Sequence, residues 1–269
     1  MSVRNTMRAT PVLLRIGLAE AIAYRAEIVV WTLATTMPLI MLALWSAVAE
    51  DAPLGRFGQA QFVAYFLVTF IVRQLTGSWA SWQMNLDVRE GTLAVRLLRP
   101  IHPLWSYAVE NVAAIPLRLV VSVPVAVILL FTAGATELTH DPVLAAAFFA
   151  ALVGGWMITM LANLAVGCLS LFLESSLKVM EVYTAAFFVF SGYLIPLELF
   201  PPVVRAIADY LPFRYQIGLP VELLTRAYDH DRALGLSMVG RQYAMVGAMG
   251  VLTATLWRRG LRRFAAYGG

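Results

Sequence analysis

Lysine is almost missing from this chain. Lys178, in "ESSLKVM", is the only lysine among 20 basic residues, and no glycine-rich turn closes on Gly-Lys-Ser/Thr. A P-loop holds phosphates with backbone amides and that lysine, so the chain carries no ATP-hydrolysing site of this kind. Cysteine is equally scarce. Cys168 stands alone inside an apolar run, which excludes an intrachain disulfide and a cysteine-rich metal site. His102, His140 and His230 are too few and too scattered for a metal centre and read as solvated loop residues. Zinc-protease, EF-hand and G-x-S-x-G patterns are absent as well.

Charge is the next shortage. Only 13% of the 269 residues are charged and 60% are hydrophobic, whereas a soluble domain carries about a quarter charged residues. A globular core of this size would need a polar shell, and these side chains are too few to build one. The solvent is therefore lipid. The net charge of +4 does not indicate nucleic acid, because the positive residues cluster beside apolar runs, where they report topology.

What is present is helix-forming apolar sequence. A bilayer core needs roughly 20 apolar residues of helix, and six stretches approach or exceed that length: about 28–48, 60–83, 110–134, 143–173, 179–200 and 238–257. The expectation is an all-α integral membrane protein with six transmembrane helices, residues 28–269 forming one transmembrane domain. Residues 1–27 carry Arg4, Arg8, Arg15, Glu20, Arg25 and Glu27 without an uninterrupted apolar region, so no cleaved signal is expected. Val12, Leu13, Ile16, Ala19 and Ile22 instead recur at helical spacing, which predicts an amphipathic helix in the membrane surface.

Arginine sets the orientation. Four arginines precede the first span and Arg258, Arg259, Arg262 and Arg263 follow the last, so both termini are expected in the cytoplasm. Arg89, Arg96 and Arg99, between spans two and three, then lie on the same side.

Two polar connections are long enough to carry function. In "REGTLAVRLLRPIHPLW", Gly91 breaks the incoming helix, Thr92 begins one or two amphipathic turns, and Pro100 and Pro103 stop them. This segment reads as either a docking element or a plain turn. The second, residues 190–226, kinks at Gly192 and Pro196 and passes Pro201 and Pro202 into "VVRAIADYL", with Pro212 and Pro220 beyond. Pieces this short fit a re-entrant segment, or else an ordinary outer loop.

The order of these elements resembles the permease subunits of ABC-2-type exporters: a surface helix, six spans, "REGTL…LLRPI" after the second and "SGYLIPLELFP…LPF…P" after the fifth. The resemblance implies a cytoplasmic coupling helix between helices 2 and 3, with Glu90, Gly91, Leu93, Leu97, Leu98 and Pro100 meeting an ATPase subunit. It implies a re-entrant outer gate between helices 5 and 6, shaped by Pro196, Pro201, Pro212 and Phe213. Two ATPase copies and a second permease, identical or related, would be the partners, in a bacterial inner membrane. ATP and Mg would be bound by the ATPase, and no cofactor by this chain.

The resemblance further implies that spans two and five face the pathway, where their aromatic side chains would suit lipophilic or cationic amphiphilic cargo through dispersion and cation–π contacts, or else simply pack or face lipid. Candidate lining residues are Phe66, Phe70, Arg73, Glu181, Phe187, Phe190 and Tyr193. Arg73 lies within the second span and is expected either to snorkel toward the cytoplasm or to pair with Glu181, which follows Glu174 and Lys178 at helical spacing. A secondary transporter driven by an ion gradient is the rival reading, disfavoured by the lack of a mid-span carboxylate. An integral membrane enzyme is a third, with no catalytic constellation to support it.

Overall fold

The computed structural model describes residues 3–23, 30, 35–173 and 176–267. Among these the chain is helical, with one isolated Leu54–Phe57 bridge and no strand. The described residues include, in order, the helices α1 (Val3–Ala23), α2 (Met37–Asp51), α3 (Gln59–Thr76), α4 (Ala80–Arg89), α5 (Thr92–Leu98), α6 (Pro103–Ala113), α7 (Ile115–Leu130), α8 (Pro142–Cys168), α9 (Leu177–Phe190), α10 (Pro202–Tyr210), α11 (Gly218–Leu224) and α12 (Arg232–Tyr267).

Among the described residues three helical runs are long and apolar enough to cross a membrane: Gln59–Arg89, Pro103–Leu130 and Pro142–Leu171. They correspond to the second, third and fourth sequence spans. The first span, 28–48, overlaps α2, but residues 28, 29 and 31–34 lie outside the described residues, as do Glu174 and the ends of segment 1–27. The fifth, 179–200, is cut short. Helix α9 has 14 residues and ends at Ser191 and Gly192, the latter at φ +80° with the Tyr65 hydroxyl 2.6 Å from where a Cβ would sit. The sixth lies inside the 36-residue α12, long enough to span but diluted by Gln242, Tyr243, Thr253 and several glycines.

The second run is two helices rather than one. The ladder of α3 stops at Thr76, the chain is extended at Gly77, and α4 restarts at Ala80. Arg118, reaching from α7, donates to the carbonyls of Gln74 (3.3 Å) and Gly77 (2.6 Å). A cation so placed satisfies acceptors that a helix C-terminus leaves free. Its guanidinium also lies 4.7 Å from the centre of the Trp79 ring. The third run begins seven residues before its expected start at 110, because Pro103 opens α6 instead of ending the preceding turn. Proline suits the first helical position, where its missing N–H has no acceptor. His102 caps that end by accepting the Leu104 N–H at Nδ1, 3.3 Å away.

Helix α8 runs through the middle, packed by α3, α4, α11 and α12. Buried side chains form two clusters. The larger gathers Phe62, Tyr65, Phe66, Leu144, Tyr215 and Ile217, while the smaller gathers Met84, Leu93, Tyr107, Cys168 and Trp257 around α5. Helix α1 lies along α6, with Thr10 accepting from Trp105 at 3.1 Å, and leaves Val12, Ile16 and Ile22 exposed.

Candidate functional site

Two ends of the bundle carry most of its polar chemistry. At the first, α4, Gly91 (φ +76°) and α5 make a tight corner. Leu93 is fully buried in the smaller core cluster. Arg96 turns inward as well, pairing with Asp87 (2.7 Å) and Glu110 (2.7 Å) and lying 4.5 Å from the Tyr107 ring centre. Asp87 further accepts from the Tyr107 hydroxyl at 2.5 Å and the Thr92 hydroxyl at 2.7 Å. One arginine thus joins α4, α5 and α6. Burial opposes the charge on Arg96, but the Glu110 hydrogen bond and the two carboxylates more than compensate, so its pKa is raised.

With Leu93 and Arg96 committed inward, the outer side of α5 is formed by Gly91, Ala94, Val95 and Leu98, with Glu90 and Pro100 exposed at its ends. Leu98 is 86% and Val95 56% exposed. Leu97 is half-buried. Of the six coupling candidates, Leu93 therefore anchors the element, and Leu98 is its most protruding apolar knob.

At the opposite end, residues 211–224 turn back into the bundle, and Tyr215 to Leu223 are buried without interruption. Backbone buried this way needs partners. Gln242 of α12 donates to the carbonyls of Tyr215 (2.7 Å) and Ala151 (2.8 Å). Gln216 donates to the Tyr183 hydroxyl (2.7 Å) and accepts from Thr159 (3.1 Å). Arg214 pairs with Glu222 at 2.8 Å and with Asp209, and the Tyr228 hydroxyl also donates to Glu222 at 2.8 Å. Glu222 is 2% exposed. Arg56, on the α2–α3 loop, grips Glu198 bidentately at 2.5 and 2.7 Å and donates to the Thr225 carbonyl at 3.1 Å.

The four gate candidates all lie in this region. Pro196 and Phe213 are buried, Pro212 is half-buried and Pro201 exposed. Phe213 sits between Tyr183 and Phe190, with ring centres 5.1 and 6.4 Å away.

The pathway candidates do not share one open face. Phe66 and Phe70 pack inside the bundle, Phe187 and Tyr193 are buried, Phe190 is half-buried and Glu181 is exposed at the start of α9. Arg73 forms no ion pair with Glu181 or any other carboxylate among the described residues. Its guanidinium lies 5.2 Å from the Phe187 ring centre.

Sequence reasoning passed over Asp87, Tyr107, Glu198, Glu222, Gln216 and Gln242. The signal was the presence of amides and carboxylates within apolar runs, where a buried polar group implies a specific partner.

Helices long and apolar enough to cross a membrane, with a buried segment folded back among them, suggest a membrane protein. Residues 55–268 match the family described as ABC-2 family transporter protein, and the chain belongs to that family. No curated protein matches it.

Proposed function

We propose that this chain is the membrane-spanning, non-hydrolysing subunit of an ATP-driven exporter. In this reading six helices cross a bacterial inner membrane with both termini in the cytoplasm. Two ATPase copies bind and hydrolyse ATP with Mg, and a second permease, identical or related, completes the pathway. The cargo is lipophilic or amphiphilic.

The observation carrying the reading is the build of α5. It is fixed to the bundle by Leu93 and by the Arg96 ion pairs, yet offers Val95 and Leu98 outward. An exposed apolar knob on a stiff base suits a protein cleft, since little ordering entropy is lost on docking. Helices α3, α4 and α6 would pass the displacement of α5 toward the 211–224 segment as a two-state shift. Affinity purification of the tagged chain from its native membrane is expected to bring down an ATPase, and Leu98→Asp or Glu90→Arg to release it. Retention of the ATPase by both variants would overturn the docking role of α5.

One observation favours the ion-gradient reading: the buried carboxylate of Glu222. Its contacts with Arg214 and the Tyr228 hydroxyl commit it within the fold, which suits structure better than ion exchange. Gradient-driven uptake by the reconstituted chain alone would reverse that preference.

A further inference from the structure

Arg73 is an intramembrane charge that no carboxylate among the described residues neutralises. It is the fifteenth residue of the 31-residue run Gln59–Arg89, and Arg118 is the sixteenth of the 28-residue run Pro103–Leu130. Both therefore sit near mid-depth of their runs, where an uncompensated charge is costly. Arg118 is accounted for by the carbonyls at the end of α3. Arg73 enters no ion pair among the described residues; its guanidinium lies over the face of Phe187 and donates to the Tyr193 hydroxyl, which leaves its charge unmatched.

Toward the α5 end its reach is about one turn, an Nη lying 3.7 Å from where a Gly77 Cβ would sit. Phe187 lies ten residues beyond Leu177, roughly 15 Å along α9 at 1.5 Å per residue, so the guanidinium is held well away from that end. It is half-buried, leaving donors available on a planar fork suited to carboxylate or phosphate. Beside it runs an apolar surface. Phe187 adjoins Phe188 with ring centres 5.9 Å apart, and Phe188, Val189 and Val182 are exposed along α9.

We infer that Arg73 and the exposed apolar side of α9 form a binding site for a single-chain amphiphile with an anionic headgroup. The phosphate or carboxylate meets the guanidinium, and the alkyl chain lies along Phe188, Val189 and Val182. The second cation, Arg118, adds to a positive field that repels quaternary ammonium groups and attracts anions. This deepens the permease reading, and rests on it for the ligand being cargo; the binding does not.

The test uses the full chain in phosphatidylcholine nanodiscs, titrated by calorimetry with dodecyl phosphate, dodecyltrimethylammonium and inorganic phosphate. Dodecyl phosphate is expected to bind saturably, about tenfold or more weaker in Arg73→Gln, as for a lost charge-assisted contact, with recovery in Arg73→Lys. Equal binding to Arg73→Gln, or binding of inorganic phosphate as tightly as of dodecyl phosphate, overturns the inference. Should Arg73→Gln fail to fold, the wild-type comparison decides alone: preference for dodecyltrimethylammonium sinks the site. Competition by phosphatidylglycerol discs would make the occupant a resident lipid and overturn its role as cargo. The two readings fail separately, since absence of a co-purifying ATPase with Arg73-dependent binding intact removes the permease assignment and leaves the site.

Discussion

Single residues here act where a helix must stop or a charge must be matched. Gly192 occupies the left-handed region, and its missing Cβ makes room for the Tyr65 hydroxyl, which donates to its carbonyl at 2.7 Å. Gly192→Ala is expected to cost about 1–3 kcal/mol from backbone strain alone, read as a lower unfolding temperature in detergent. Arg96→Gln leaves Asp87 and Glu110 facing each other without a cation. The three side chains are 15–18% exposed, so solvent screening keeps the expected loss at about 1–3 kcal/mol, below that of a fully buried pair. His102 adds a pH dependence. Burial lowers its pKa, so the unfolded chain takes up a proton first as pH falls. Its contribution is present above the unfolded value near 6.5 and declines below it. Melting temperatures between pH 7.5 and 5.5 should fall less in His102→Gln than in wild type.

At the scale of the element, α5 separates anchoring from display within seven residues. Leu93→Asp puts a charge in the smaller core cluster and should destabilise the whole chain, whereas Leu98→Asp should melt like wild type. Thermal unfolding of both variants side by side checks this, and equal melting would refute the inward and outward assignments. The corner itself was legible in the sequence: Gly91, the amphipathic pattern and Pro100 mark its limits. What periodicity did not settle was the face, since Leu93 and Leu97 look alike in sequence, yet Leu93 is fully buried beside Met84 and Tyr107 while Leu97 packs half-buried at the edge of the same cluster. Pro103 was misread as a stop, because proline both ends a helix and begins one. The fourth span was legible from its unbroken apolar run. The fifth was overestimated, as hydropathy continues past Phe190 while the backbone ladder does not.

For the whole molecule, Leu93 of α5 packs near the Cys168 end of α8 while the 211–224 segment lies against its middle, at Gly155 and Thr159, tied down through Arg214 and Gln242. Orientation can be read directly, because the only native cysteine is buried. In a Cys168→Ser background, Val95→Cys should react with a membrane-impermeant maleimide only in inverted vesicles, and Arg232→Cys only in intact cells. The reverse pattern would invert the transport scheme. Polar contacts between distant segments, such as Arg56 with Glu198, were invisible to pattern reading because neither partner has a periodic signature; both looked like loop charges.

The interruption at Gly77 sets how motion travels through such a bundle. Two stacked rods are held end to end by one arginine, which bonds the carbonyls of Gln74 and Gly77 and covers the face of Trp79. A sideways displacement of α4 would therefore reach α3 through that clasp and not through a continuous backbone ladder.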